Sequence, residues 1–135
     1  MSNESIQAQY TPEEIIAKLQ AHPKFGSQIK PITKHQSAII SSGLEPSVVI
    51  AGAGSGKTET MSNRVLYLVA NGFATPDQIL GLTFTRKAAG ELSVRIRKRL
   101  RQLSQLSEFK HITSTSTAVT TYHSYAGKLL SEHAI

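Results

Sequence analysis

Residues 51–58 read Ala51-Gly52-Ala53-Gly54-Ser55-Gly56-Lys57-Thr58, the types and spacing that a phosphate-binding loop needs. Three glycines let the backbone curl so that successive N–H groups converge on an anion. The segment follows the apolar run Val48-Val49-Ile50 and precedes a stretch of helical periodicity. The loop therefore feeds a helix N-terminus, whose unpaired N–H groups and dipole favour negative charge. In that geometry the Lys57 ammonium reaches the β- and γ-phosphates of a nucleotide, and the Thr58 hydroxyl holds Mg²⁺. The usual spacing places glycine first; Ala51 stands there instead, and its methyl is compatible with a negative φ. The plainer alternative is a flexible Gly/Ser turn that contains a lysine by accident. The strand before it and the helix after it argue for the loop.

Two further groups of residues carry chemistry. From Arg86 to Leu103 the chain holds Arg86, Lys87, Arg95, Arg97, Lys98, Arg99 and Arg101 against the single acid Glu91. Such a helix either presents a solvated face or contacts phosphates, releasing counterions as it does so. Arg86 and Lys87 follow a strand end, where open α/β sheets place their ligands; the distal arginines fit a plain surface equally well. Thr83-Phe84-Thr85 and Thr121-Tyr122-His123-Ser124 set an aromatic ring among hydroxyls at two strand ends. Rings stacking on bases, with hydroxyls on the backbone, suit a single-stranded nucleic acid. Taken alone, Phe84 is more simply a core residue, and His123 a helix-capping histidine. With no cysteine and no nearby histidine partner, His123 makes a poor metal ligand.

These residues need elements to hold them. Thr11-Pro12-Glu13-Glu14 has the form of a capping box that starts a helix through about Gln20. A second short helix runs from Thr33 to about Ser41, and Gly43 to Pro46 turn into a strand at 48–50. After the loop, Met61, Val65, Leu68 and Val69 recur at helical spacing until Asn71-Gly72. Residues 79–84 form a mostly apolar strand. Ala89, Leu92, Ile96, Leu100 and Leu103 mark a long amphipathic helix. Residues 104–117, rich in Ser and Thr, are expected to be loop; a strand at 118–121 and a helix at 122–133 close the chain. Strands alternating with helices imply an α/β fold, a parallel sheet flanked by helices.

The whole chain has 135 residues, enough for one domain with a core. Fifteen Lys and Arg against nine Asp and Glu give a net charge of +6, which favours a polyanionic partner. Without cysteine, neither a disulfide nor a thiolate zinc site can form. No signal peptide or membrane-length apolar run is present, so a cytoplasmic protein with no membrane partner is expected.

Gln36, the 51–58 loop, Leu82-Thr83-Phe84-Thr85-Arg86-Lys87-Ala88-Ala89 and Thr121-Tyr122-His123-Ser124 occur in that order. Together they resemble the N-terminal ATPase subdomain of superfamily 1A DNA helicases, the UvrD/Rep/PcrA group, over about residues 30–135. The runs Thr58 to Leu66, Val69 to Gly72 and Leu80 to Lys87 look closer still to actinobacterial UvrD-like and AdnB-type helicase–nuclease subunits. The resemblance implies a partial P-loop NTPase (RecA-like) domain over 31–135 behind a helical lead-in, 1–30. It implies ATP and Mg²⁺ as cofactors, with Gln36 reading the adenine edge and Ala51 to Thr58 holding phosphate and metal. Phe84, Thr85, Arg86, Lys87, Tyr122, His123 and Ser124 would contact DNA, a single strand or a duplex–single-strand junction.

Arg86 stands where many relatives carry Asn, and Tyr122 where many carry Phe. The family's acidic Asp-Glu pair, its later arginine, its second RecA-like domain and any nuclease domain do not occur in this sequence. The resemblance therefore implies a piece of a longer polypeptide, truncated before the second ATPase motif. Its parent would be an ATP-dependent 3′→5′ helicase or translocase in DNA repair or recombination, with a partner helicase–nuclease subunit possible. The alternative is a stand-alone nucleotide- or DNA-binding module without catalysis. A small P-loop kinase fits less well, since nothing resembles a lid or phosphoacceptor site.

Overall fold

The computed structural model describes residues 8–42, 48–50 and 55–133, the side chains of 48–50, 55, 56 and 133 excepted. In chain order the elements are α1 (Pro12–Gln20), α2 (Lys34–Ile40), β1 (Val48–Ile50), α3 (Ser55–Ala70), β2 (Leu80–Thr83), α4 (Arg86–Ser104), β3 (Ala118–Thr121) and α5 (Tyr122–His133). The turn expected at 43–46 lies outside the described residues.

Local chemistry sets most of these boundaries. At α1, Thr11 Oγ1 accepts the Glu14 N–H while the Glu14 carboxylate accepts the Thr11 N–H, and Pro12 occupies the first turn. Thr33 and Gln36 make the same reciprocal pair at α2. Helix α3 stops where Gly72 adopts φ 73°, a left-handed conformation costly for any residue with a Cβ. The Phe73 N–H then reaches Leu68 O at 2.9 Å and the Gly72 N–H reaches Val69 O at 3.1 Å, the paired bonds of a Schellman turn. Asn71, beside that turn, accepts the Tyr10 N–H at 2.7 Å and donates to Tyr10 O at 3.0 Å. The segment before α1 is thereby pinned at Tyr10 to the end of α3. Gly26 serves close approach instead: a Cβ there would lie 2.0 Å from Gln20 O.

The sheet is parallel throughout, in the order β1-β2-β3. Val48 pairs with Leu80, and Leu80 in turn with Ala118. Helix α3 packs on β1 and on α4, α4 covers β2 and β3, and α5 touches β3 and β2. Leu92, Ile96, Leu100 and Leu103 form one stripe of α4 and are all fully buried. They meet Val65, Leu66, Leu68 and Val69 of α3 and Ile15, Ile16 and Leu19 of α1 in a single cluster. Burying each such side chain contributes about 1.5–3 kcal/mol before entropy is subtracted. Among the described residues no helix is long and apolar enough to cross a membrane.

Two expectations are corrected. The 104–117 segment is not simply loop: Ser107–Phe109 form a 3₁₀ turn, and Leu106, Phe109 and Ile112 join the core. Phe109 sits edge-on to the Tyr10 ring at 5.1 Å, and Lys18 of α1 pairs with Glu108 across the same junction at 2.6 Å. The strand expected over 79–84 ends at Thr83. Its last residue, Phe84, has left the sheet, and it is no core residue: 65% of its surface is exposed.

Candidate nucleotide and nucleic-acid site

The phosphate-binding candidate begins at the first turn of α3. Ala51, Gly52, Ala53 and Gly54 lie outside the described residues; Ser55 and Gly56 open the helix, Lys57 is exposed and Thr58 is buried in the same turn. A sixteen-residue helix has its positive end at Ser55. An exposed ammonium and the hydroxyl of the next residue, both in that first turn, are groups that suit a polyphosphate and a hard cation.

Beside this turn lies a cavity of about 160 Å³ lined by Lys30, Pro31, Ile32, Gln36, Glu59, Asn63 and Arg95. It joins the segment before α2, the first turns of α3 and the middle of α4. Gln36 lines it while its Oε1 accepts the Thr33 N–H at 2.9 Å. The carbonyl oxygen retains a second lone pair, so reading a base edge through both amide atoms is compatible with the cap. The role of Gln36 in capping α2 was readable from Thr33 three residues earlier, the same spacing as at Thr11.

The charges of α4 divide into two sets. Arg95 and Arg99 turn inward onto Glu59 of α3. Arg95 Nη1 meets Glu59 Oε1 in a short ion pair, and Arg99 Nη2 meets Oε2 at 3.2 Å. Arg99 is 6% exposed and also donates to Gln102 Oε1 at 2.8 Å. Arg97, Lys98 and Arg101 remain at the surface. Glu91 is thus not the acid that answers these arginines. The partner is Glu59, which helical spacing along α4 alone gives no means of finding. Nearby, Arg64 is 5% exposed and its Nη1 donates to Ile40 O at 2.9 Å and Ser42 O at 2.8 Å. These carbonyls end α2, so a buried cation caps the negative pole of that helix. Burial pushes the Arg64 guanidinium below its ordinary value.

At the strand ends, Thr83 of β2 stands in register with Thr121 of β3, so the residues that follow emerge side by side. Phe84 and Tyr122 stack with ring centres 5.3 Å apart and planes 22° from parallel. Both rings are exposed, Tyr122 by 37%. Thr85 caps α4 by accepting the Ala88 N–H, and Thr83 Oγ1 donates to Thr85 O. Arg86 and Lys87 then sit exposed in the first turn of α4, which holds no acid. Cations at that end oppose the helix dipole. In α5, Thr121 Oγ1 accepts the Ser124 N–H and donates to Ser124 Oγ, while His123 is exposed. The sheet thus gathers Phe84, Thr85, Arg86, Lys87, Tyr122, His123 and Ser124 at one edge, as its parallel register dictates.

A family model for the UvrD/REP helicase N-terminal domain matches residues 32–135. The chain belongs to that family. DNA helicase IV of Escherichia coli K12 is 40% identical over 99 residues, covering 72% of this chain and 14% of that protein. A probable DNA helicase II homolog of Mycoplasma genitalium is 39% identical over 99 residues, covering 73% of this chain and 13% of that protein. The ATP-dependent DNA helicase UvrD2 of Mycobacterium tuberculosis is 50% identical over 52 residues, covering 38% of this chain and 7% of that protein. The chain therefore spans about one seventh or less of the length of these relatives.

Proposed function

We propose that this chain supplies the phosphate-binding loop and part of the DNA-contact surface of an ATP-dependent DNA helicase or translocase. Relatives named as DNA helicases support the activity class. The observation that carries the reading is the exposed Phe84–Tyr122 stack, flanked by Arg86 and Lys87, at the strand ends of the sheet whose first strand leads to Lys57 and Thr58. Two stacked rings left in water cost apolar exposure, and two cations are set against a helix dipole. Both become favourable when bases stack on the rings and phosphates meet the cations.

In this reading Gln36 meets the adenine, Lys57 and the loop backbone hold the phosphates, and Thr58 holds Mg²⁺. Bound ATP with its metal supplies the phosphoryl-transfer energy. Lys57 neutralises the charge that develops on the transferred group, and the rings just past β2 and β3 grip the strand. The reading extends by resemblance to 3′→5′ movement, a role in repair or recombination, a cytoplasmic setting, and kinship with AdnB-type subunits acting beside a partner subunit. The sequence has no Asp-Glu pair to position water, so the 135 residues alone should bind nucleotide without turning it over.

Single-strand binding titrated across salt tests the DNA half. Phe84→Ala should cost about 1–3 kcal/mol of affinity through lost stacking. Arg86→Ala should flatten the salt dependence by about one phosphate. A joint change of Arg97, Lys98 and Arg101 that costs more than Phe84→Ala would move the DNA path to the outer face of α4.

A further inference from the structure

The nucleotide reading leaves one residue without a role. Glu59 follows Thr58 directly, two residues past Lys57, the cation that would hold the phosphates. A lone carboxylate there repels a polyphosphate. It is not alone: its two oxygens hold two guanidiniums one turn apart on α4, Arg95 and Arg99. The three charges together are net positive. The arms of this clamp differ. The Arg99 side chain is only 7% exposed and is braced by Gln102. Arg95, at 39%, is the outer arm and forms part of the wall of the Gln36 cavity.

That wall has unmet bonding capacity. Among the described residues, Asn63 Oδ1, Arg95 Nε and Arg99 Nε are buried with no hydrogen-bond partner, and Asn63 and Arg95 line the cavity. Buried polar atoms without partners are uncommon. An acceptor and a donor left over around one small cavity point to a ligand with a polar planar edge of its own, as a purine has.

Resting on the nucleotide reading above, we propose that Glu59 is a positioning residue for the base: anchored on Arg99, it fixes Arg95 in the wall of the Gln36 cavity and so raises affinity for the purine without touching the nucleotide. The clamp works because the anchored side is buried and the working side is not. Since α4 begins at the DNA-facing residues Arg86 and Lys87, the same clamp ties the base cavity to the strand-end edge through one helix.

A purely structural ion pair would join α3 to α4 just as well, so the test separates base from phosphate. Binding of ADP and of base-free tripolyphosphate to the 135-residue chain is measured by calorimetry for wild type, Glu59→Gln, Arg95→Gln and the double variant. Each single change should weaken ADP on the order of tenfold, the scale of one oriented charge-assisted hydrogen bond. Tripolyphosphate should stay within about twofold, because its site is the loop backbone and Lys57. The double variant should bind ADP no worse than Arg95→Gln alone, since Glu59 acts through Arg95. Equal losses for ADP and tripolyphosphate, additive losses in the double variant, or unchanged ADP affinity would each overturn the proposal. If Glu59→Gln does not fold, Arg95→Gln still decides, since it must spare tripolyphosphate while weakening ADP. Failure of the wild-type chain to bind either ligand would instead remove the nucleotide reading itself.

Discussion

The seam that α3 forms with α2 and α4, and the strand-end edge, invert the usual distribution of side chains. In the seam Arg64, Arg99 and Glu59 are drawn in from solvent and answered by carbonyls or by one another. At the edge, Phe84 is left out in water and Tyr122 partly so, the two rings stacked on each other. A buried charge is tolerated only when its partners are in place, so removing a partner in the seam should show as lost stability. An exposed ring contributes little to folding, so the edge should show its worth only when something binds it. Charge buried and ring exposed are the two signs of one division, between a part that holds and a part that waits for a ligand.

The sharpest way to break the comparison is at Arg64. Arg64→Met keeps the stem and removes the charge that caps α2, and should cost about 3 kcal/mol of unfolding free energy in urea. A loss within about 0.5 kcal/mol, the range of an ordinary surface change, would mean that water replaces the guanidinium at the end of α2. Arg99→Met should cost about 2 kcal/mol by the same measurement, whereas Arg97→Met, two residues away on the exposed face, should stay within about 0.5 kcal/mol. Equal effects would erase the division of α4 into an inner and an outer set. At the edge, Phe84→Ala and Tyr122→Ala should each leave stability unchanged to within about 0.5 kcal/mol. Unfolding on the scale of a core phenylalanine would reclassify the stack as structural.

The smallest effect belongs to the Lys18–Glu108 pair, which sharpens the comparison by being neither buried nor at the edge. The Lys18 ammonium holds the Glu108 carboxyl below its ordinary 4.5, and Glu108 holds Lys18 above its ordinary 10.5. A carboxyl depressed in the folded state stabilises above its unfolded value and loses that contribution as pH falls through the folded value. Wild type should therefore lead Glu108→Gln slightly in melting temperature at pH 6, and the lead should vanish as pH drops well below 4.5. Added salt should shrink it, because the pair is solvent-facing. A lead that persists in acid would place its origin in packing against Phe109 instead.

The sequence was most legible where a residue acts on its near neighbours. Thr11 with Glu14 announces α1 three residues ahead, and Gly72 after Asn71 announces the end of α3. Strand pairing followed from alternation of elements, and the common edge of Phe84 and Tyr122 from parallel register. Three features were hidden for physical reasons. The Glu59 clamp joins residues on different helices, and no periodicity within α4 reports a partner on α3. Phe84 ends an apolar run, which shows that a strand exists but not where the chain leaves the sheet. Leu106, Phe109 and Ile112 are diluted among serines and threonines, so average composition suggested loop where three spaced apolar residues suffice to anchor the segment.

The carboxamide of Asn71 has a consequence for the order of assembly. Its bond to Tyr10 closes a loop whose ends are 61 residues apart, and the entropy of closing such a loop must be met before the contact returns anything. The acceptor that receives Tyr10 is also oriented by a neighbouring turn that exists only once α3 has stopped at Gly72. The segment at Tyr10 joins the folded body late, and its amide becomes a reporter of when that happens.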